Sequence, residues 1–292
     1  MTMRAPNRLP AFILVDAHVH FHPCFEADAF LDGAVANFAR GAAQVGVPGP
    51  FAGCLVLTEM GEAHWLRRLR VGEAGAGSAS GAWSFAPTAE AESLVAHRAS
   101  GERLVLIAGR QIASREAVEV LALGQEADVP DGLPLAETLS RVRDCGALPV
   151  LPWGFGKWWL NRGSLIAAAF AGRRGEELYL GDNAGRPTVG GSPELFRLAR
   201  GQGVPVLPGS DPLPLPEHVS RAGSYGFVLS GPLDEAQPAA ALLRGVRRLK
   251  GQPRIFGRRD DLPRFLRAQA ALRWRRRSGA DVTVPRVEGA MP

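Results

Sequence analysis

Cysteine is scarce in this 292-residue chain, and its three copies, Cys24, Cys54 and Cys145, are scattered, odd in number and without CxxC spacing. That usage argues against a disulfide framework and for reduced thiols in a cytoplasmic setting. Long apolar runs are also missing. AFILV near the N-terminus is too short for a signal-peptide core, and LIAAAF at 165–170 falls far below a membrane span. There is no long polar tract, and 46% hydrophobic against 22% charged residues supplies enough apolar side chains for a substantial core. No GxGxxG and no Walker sequence occurs. GFGKWW lacks the loop length and the Ser/Thr that would let backbone amides and a hydroxyl cradle phosphates.

Acidic residues are rare in one stretch. From Arg244 to Arg277 there are 13 Arg/Lys and two Asp, a balance of +11, so the remainder carries −6 of the overall +5. The basic character therefore belongs to a C-terminal segment. Within it Asp261 is placed to cap a helix, Pro263 suits its first turn, and the arginines 273–277 suit its C-terminal end. Two readings follow. One is a solvated helix packed on the acidic body through Phe265, Leu266 and Leu272. The other is contact with nucleic acid or anionic lipid. Residues 279–292 read as a loose tail.

Apolar runs of strand length recur with helical stretches between them. FILV, GCLVLTE, ALPVLPWG, ELYLGDN, VPVLPGSDP and YGFVLSG read as strands. Residues 29–45, PLAETLSRVRDCG, SLIAAAFAGRRG and SPELFRLARGQG, with Ser192 as N-cap, read as helices. Residues 83–124 read as a small antiparallel meander. Helix and strand alternating every 25–35 residues predicts crossover units. The expected architecture is a distorted α/β barrel of about seven or eight mainly parallel strands with the meander inserted. Residues 1–254 would form the barrel and 255–278 the basic helix.

Histidine is sparse, yet half of the six copies fall in one segment, at His18, His20 and His22. None lies between 98 and 217. In a strand, residues two apart share a face, so Asp16, His18 and His20 are expected to point one way, at the carboxyl end of the first strand. Two imidazoles so placed can share an ion, with the remaining ligands supplied by other strands. Asp211, in the late GSD, is the candidate carboxylate ligand.

DAHVH after a strand, together with the late GSD, resembles the metal-dependent hydrolases of the amidohydrolase superfamily and the related PHP (polymerase and histidinol phosphatase) domains. The PHP likeness extends through LVLIAGRQIASREAVEVLALG, LAETLSRVRDCGALPVLPWG, LYLGDN and VPVLPGSDP, across most of residues 11–230. It implies a divalent-metal hydrolase. Several PHP ligand positions are replaced here: Gln111 stands for an acidic ligand, Pro152 and Trp153 for a histidine segment, and Leu213 for a further histidine. A trinuclear site cannot be assembled. The chain supports at most one ion (zinc, manganese or iron), held by His18, His20 and Asp211, with Glu59, Asp182, His22 or water as a fourth ligand.

Other polar residues end putative strands and would ring the same mouth. Asp211 or Glu59 is the expected general base. Lys157 and Arg110 would bind a small anionic substrate, Asn183 would orient it, and Gln111, Asp182 and Trp153 would complete the binding surface. Trp158 and Trp159 are candidates for an aromatic wall or for plain core packing. The expected activity is hydrolysis of a phosphoester rather than an amide, with a non-catalytic anion-binding or partner-binding descendant as the alternative. His64 and His97 are expected to stand apart from the site, and His218 to fold back towards it.

Overall fold

Phe12–Val19 forms the first strand, β1, because an unbroken apolar run can be buried on both faces only inside a layered structure. The computed structural model describes residues 11–278 apart from Trp159, Arg174 and Gly190. The expectations for Trp159 and for the tail 279–292 lie outside the described residues. After β1 come α1 (Ala27–Gln44), β2 (Phe51–Leu57), α2 (Trp65–Arg70), β3 (Trp83–Pro87), β4 (Ser93–Arg98), β5 (Arg103–Ile107), β6 (Gly109–Ala113) and β7 (Glu119–Leu123). The second half runs α3 (Leu135–Asp144), β8 (Leu148–Pro152), α4 (Leu160–Gly172), β9 (Tyr179–Asn183), α5 (Glu194–Gly201) and β10 (Val206–Gly209). It ends with β11 (Tyr225–Ser230), α6 (Pro238–Arg247), β12 (Arg254–Gly257) and α7 (Leu262–Arg277).

The strands do not close into the expected barrel. They form two mixed sheets, a seven-stranded one in the order β12-β11-β1-β2-β5-β4-β3 and a five-stranded one in the order β10-β9-β8-β7-β6. Nor are they mainly parallel. The pairs β1/β2, β2/β5, β8/β9 and β9/β10 are parallel, and the other six are antiparallel. The cause is connection length, since a parallel return needs a crossover of a dozen residues or more. Between β4 and β5 the chain turns within a few residues, with Gly101 at φ +107°. Ala117 at φ +56° makes an equally tight turn between β6 and β7. Residues 83–124 are therefore not one inserted meander. They are five strands shared between the two sheets. Strand β12 also carries the first sheet across residue 254.

Three cores hold the layers. Phe30, Leu31 and Phe38 of α1 and Leu66 and Leu69 of α2 cover one face of the large sheet. Phe170 and Phe196, with α3, cover one face of the small sheet. Between the sheets, Ile13, Val15 and Ala17 of β1 meet Leu121, Val150 and Leu207. Leu242, Leu243 and Val246 of α6 close this middle core at the end where β1 begins, since Leu229 beside α6 pairs with Ile13. At the other end of β1 the sheets meet through an isolated bridge between Glu59 and Arg110 and through the Asp211 N–H, which donates to the His18 carbonyl at 2.8 Å.

Asp261 caps α7 as expected, accepting from the Arg264 N–H at 2.9 Å. Helix α5 starts one residue later than Ser192 would set it: Pro193 is its N-cap, and the Ser192 hydroxyl is buried without a partner.

Candidate metal centre

Strict alternation along β1 fails at the point that matters. The pairing with β2 shifts register between Asp16 and Val19. Leu14 and Val19 consequently pack into the same core although an odd number of positions separates them, while Ile13, Val15 and Ala17 face the middle core. An extra residue in one strand inverts the facing of everything after it. Asp16 therefore does not join His18 and His20. It is fully buried and accepts hydrogen bonds from the backbone N–H groups of Ser210 (2.8 Å), Gly223 (2.7 Å) and His18 (3.3 Å). Burial pushes its carboxyl up to about 7 against these three donors. Its role is to tie β1 to the segment that carries Asp211.

His18 and His20 converge. Their Nε2 atoms are 3.0 Å apart, and each lies 3.6 Å from Asp211 Oδ1. A point equidistant from the three atoms is about 2.0 Å from each, which is the length of a zinc–imidazole or zinc–carboxylate bond. These three residues form the one such group of His, Cys, Asp or Glu ligands among the described residues. The donor set of two nitrogens and one carboxylate oxygen suits a divalent transition ion. Burial, with His18 alongside, holds the His20 imidazole well below its usual range, so its lone pair is free at neutral pH. Burial alone would raise the Asp211 carboxyl, but His18, His20, Lys157 and Arg221 outweigh it and keep the group ionised.

Backbone geometry delivers Asp211. Gly209 lies so close to β1 that a Cβ there would sit 2.4 Å from the backbone nitrogen and Cβ of His18. Asp211 itself has φ +46°, a left-handed conformation uncommon outside glycine, asparagine and aspartate. The Asn183 amide then fixes the carboxylate, donating to Asp211 Oδ2 at 3.0 Å and to the Trp153 carbonyl at 2.8 Å. Gln111 places Oε1 3.1 Å from His18 Nε2 and donates its amide to the Met60 sulfur at 3.2 Å. Of the ring of residues expected at the mouth, Gln111 and Asn183 reach the cluster.

The other expected residues are engaged elsewhere. Asp182 forms a buried two-pronged pair with Arg186, at 2.6 and 2.7 Å, and accepts from the Tyr225 hydroxyl at 3.0 Å, which leaves it no part in the ligand set. Arg110 donates to the carbonyls of Gly61 and Ala63 and so holds the loop before α2. Lys157 is paired with Glu119. Trp153 packs against the core of the small sheet, and the Trp158 ring meets Phe196 edge-on while its N–H bonds the Pro152 carbonyl. His22 is buried, with Nε2 2.8 Å from the Pro212 carbonyl, and lies outside the ligand group. His218 Nδ1 accepts from the Leu213 N–H at 3.0 Å, and burial with Arg221 nearby lowers its pKa to about 4. His64 pairs with Glu126 at 3.0 Å and lies outside the ligand group, but contrary to expectation it lines one cavity with His20 and Glu59.

Glu59 has a double position. Its Oε1 accepts the N–H groups of Trp65 and Leu66 at the start of α2. It also lines a cavity of about 550 Å³ whose wall includes His20, Phe21, His22, Met60 and Trp65. Burial raises its carboxyl to about 7. Phe21 and Trp65 stack at 3.8 Å and stiffen that wall. Sequence reasoning missed Asp16 as a tie and Arg186 as the partner of Asp182. Spacing gave no signal for the pair, because Asp182 lies at the end of β9 and Arg186 in the turn after it, where four residues apart does not imply contact.

No family model matches this chain, and no curated protein matches it. Among solved structures, the crystal structure of PsfC from Pseudomonas syringae PB-5123 is similar, with a TM-score of 0.49 and 13% identity, over 90% of this chain and 98% of that one. A likeness of this size assigns neither fold nor activity.

Proposed function

We propose that this protein is a metal-dependent hydrolase that uses one divalent ion, held by His18, His20 and Asp211, to act on a small anionic substrate, a phosphoester in preference to an amide. The convergence of three donor atoms on a sphere of bond-length radius carries this reading. When bound at three protein ligands with a position left open, such an ion acidifies a water and offers positive charge to an anionic oxygen. The chain's own groups complete the arrangement. His20 is held neutral and Asp211 ionised, so both present lone pairs at neutral pH. Asn183 fixes which carboxylate oxygen faces the imidazoles. Glu59, on the cavity wall shared with His20, commits Oε1 to α2 and leaves Oε2 to carry a proton. Lys157 and Arg221 bias the field at Asp211 towards an anion.

A second reading, a non-catalytic protein that binds a partner, is favoured by the engagement of Arg110 and Lys157 in internal contacts, which takes away the cations expected to hold a substrate anion. Metal analysis of untagged protein, with His18→Ala, His20→Ala and Asp211→Asn beside it, tests the site. The expected result is close to one ion per chain, falling to background in each variant while the circular dichroism spectrum is kept. Wild-type protein that takes up no zinc, manganese or iron, or variants that keep the wild-type content, would overturn the assignment. A panel of phosphoesters, esters and amides then separates hydrolase from binding protein: turnover present in the wild type and absent in all three variants supports the first reading.

A further inference from the structure

Helix α7 is apolar on two opposite sides, and among the described residues only one of them has a protein partner. Phe265 and Ala268 are buried, and the Phe265 ring meets Phe155 at 4.9 Å. Leu266, expected to pack with them, instead points outward. The exposed residues are Leu262 (41%), Leu266 (55%) and Trp274 (68%), joined by Ala270. These four recur every fourth position, so they form one stripe about 18 Å long that winds slowly around the outward side. Arg267, Arg273 and Arg277 are exposed on the same arc of about 140°.

The helix contains no acidic residue. Among the described residues its ion pairing is confined to Arg264 with the capping Asp261, at 3.9 Å, and Arg267, Arg273 and Arg277 have no carboxylate within reach. An ordinary solvated helix offsets its cations with carboxylates three or four positions away. Here Arg273 and Arg277 stand four apart as like charges. The outward face therefore combines unbalanced positive charge with large apolar side chains in water.

We propose that this face of α7 docks on an anionic lipid surface, with Leu262, Leu266 and Trp274 entering the headgroup–acyl boundary and Arg267, Arg273 and Arg277 meeting lipid phosphates. Complementary charge identifies the partner as anionic: residues 244–277 carry +11 while the rest of the chain is acidic. The apolar stripe selects lipid over nucleic acid. A phosphate backbone satisfies arginines but leaves leucines wet, whereas the bilayer interface accommodates both, with tryptophan favoured at its polar boundary. The helix lies flat in this arrangement, and no helix among the described residues is long and apolar enough to cross a membrane.

Cosedimentation of the full chain with vesicles tests this, using phosphatidylcholine alone and phosphatidylcholine mixed with phosphatidylglycerol. Binding is expected to the mixed vesicles alone and to weaken as salt is raised. Arg267→Gln with Arg273→Gln should weaken it roughly thirtyfold. Leu266→Gln with Trp274→Gln should abolish it at unchanged net charge. Lipid brominated in the acyl chain should quench tryptophan emission in the wild type but not in Trp274→Phe. All four positions are exposed, so unchanged melting curves are expected throughout. Three results would each overturn the proposal: no binding to the mixed vesicles; binding indifferent to the Leu266 and Trp274 changes and matched by an oligonucleotide; or self-association of the chain that Leu266→Gln removes while vesicle binding is absent.

Discussion

Asn183 donates its amide to Asp211 Oδ2 at 3.0 Å, while Asp211 Oδ1 lies 3.6 Å from the Nε2 atoms of both His18 and His20. One oxygen is thus pinned from behind and the other offered forward, from a residue whose backbone is already in the left-handed region. Groups that orient metal ligands in this way are worth roughly ten- to a hundredfold in metal affinity. Asn183→Ala should therefore weaken zinc or manganese binding at least tenfold in a chelator competition, with little change in fold. Unaltered affinity would remove Asn183 from the site.

The close approach of Gly209 to His18 gives a second test. A methyl group there would meet the β1 backbone at 2.4 Å, so β1 and β10 must separate and carry Asp211 away from the imidazoles. Gly209→Ala should lower both the melting temperature and the metal content. Gly172→Ala, at the end of α4 with nothing within 4 Å of the added carbon, is the control and should change neither. Equal behaviour of the two variants would refute the packing argument.

Glu59 predicts a pH dependence. Its carboxyl is raised from 4.5 to about 7 in the folded chain, first by burial. The folded state therefore holds the proton more tightly than the unfolded one. The stability contributed by the protonated group is complete below about 4.5 and is lost as pH rises towards 7, on the order of 3 kcal/mol at most. Glu59→Gln keeps an acceptor for the Trp65 N–H and removes the titration. Between pH 5 and 8 the wild type should lose stability relative to Glu59→Gln in urea unfolding. Parallel curves would show that Glu59 titrates normally.

The Asp182–Arg186 pair is buried on both sides, and its loss should be felt as stability. Removing one partner strands a charge, so Arg186→Ala or Asp182→Ala should cost about 3–5 kcal/mol. Tyr225→Phe, which deletes one hydrogen bond to the same carboxylate, should cost about 1 kcal/mol. A denaturation series ranks them. If Arg186→Ala and Tyr225→Phe prove equal, the guanidinium is not the principal partner of Asp182.

Much of the local structure was legible because it rests on short-range rules. Apolar runs placed most strands, Asp261 and Pro263 placed the start of α7, and HxH with a late aspartate singled out the three residues that converge. Alternation put Asp16 with the histidines because nothing in AHV announces an extra residue; the register shift against β2 is a property of two strands together. The polar residues at strand ends were equivalent in the sequence. Which of them face the cluster depended on competition: Asp182 found Arg186, Lys157 found Glu119 and Arg110 found the carbonyls of the 61–63 loop, leaving Gln111 and Asn183.

The sequence by itself determined most of the elements, the paired histidines with the late aspartate, and the concentration of positive charge near the C-terminus, since composition and periodicity act within one segment. Only the tertiary structure decided that the strands split into two mixed sheets, that Asp211 reaches His18 and His20, and that the described residues leave one side of α7 uncovered. Each of those depends on how the chain returns to itself, through turn lengths, a close approach at Gly209 and charges that choose partners from opposite ends of the fold.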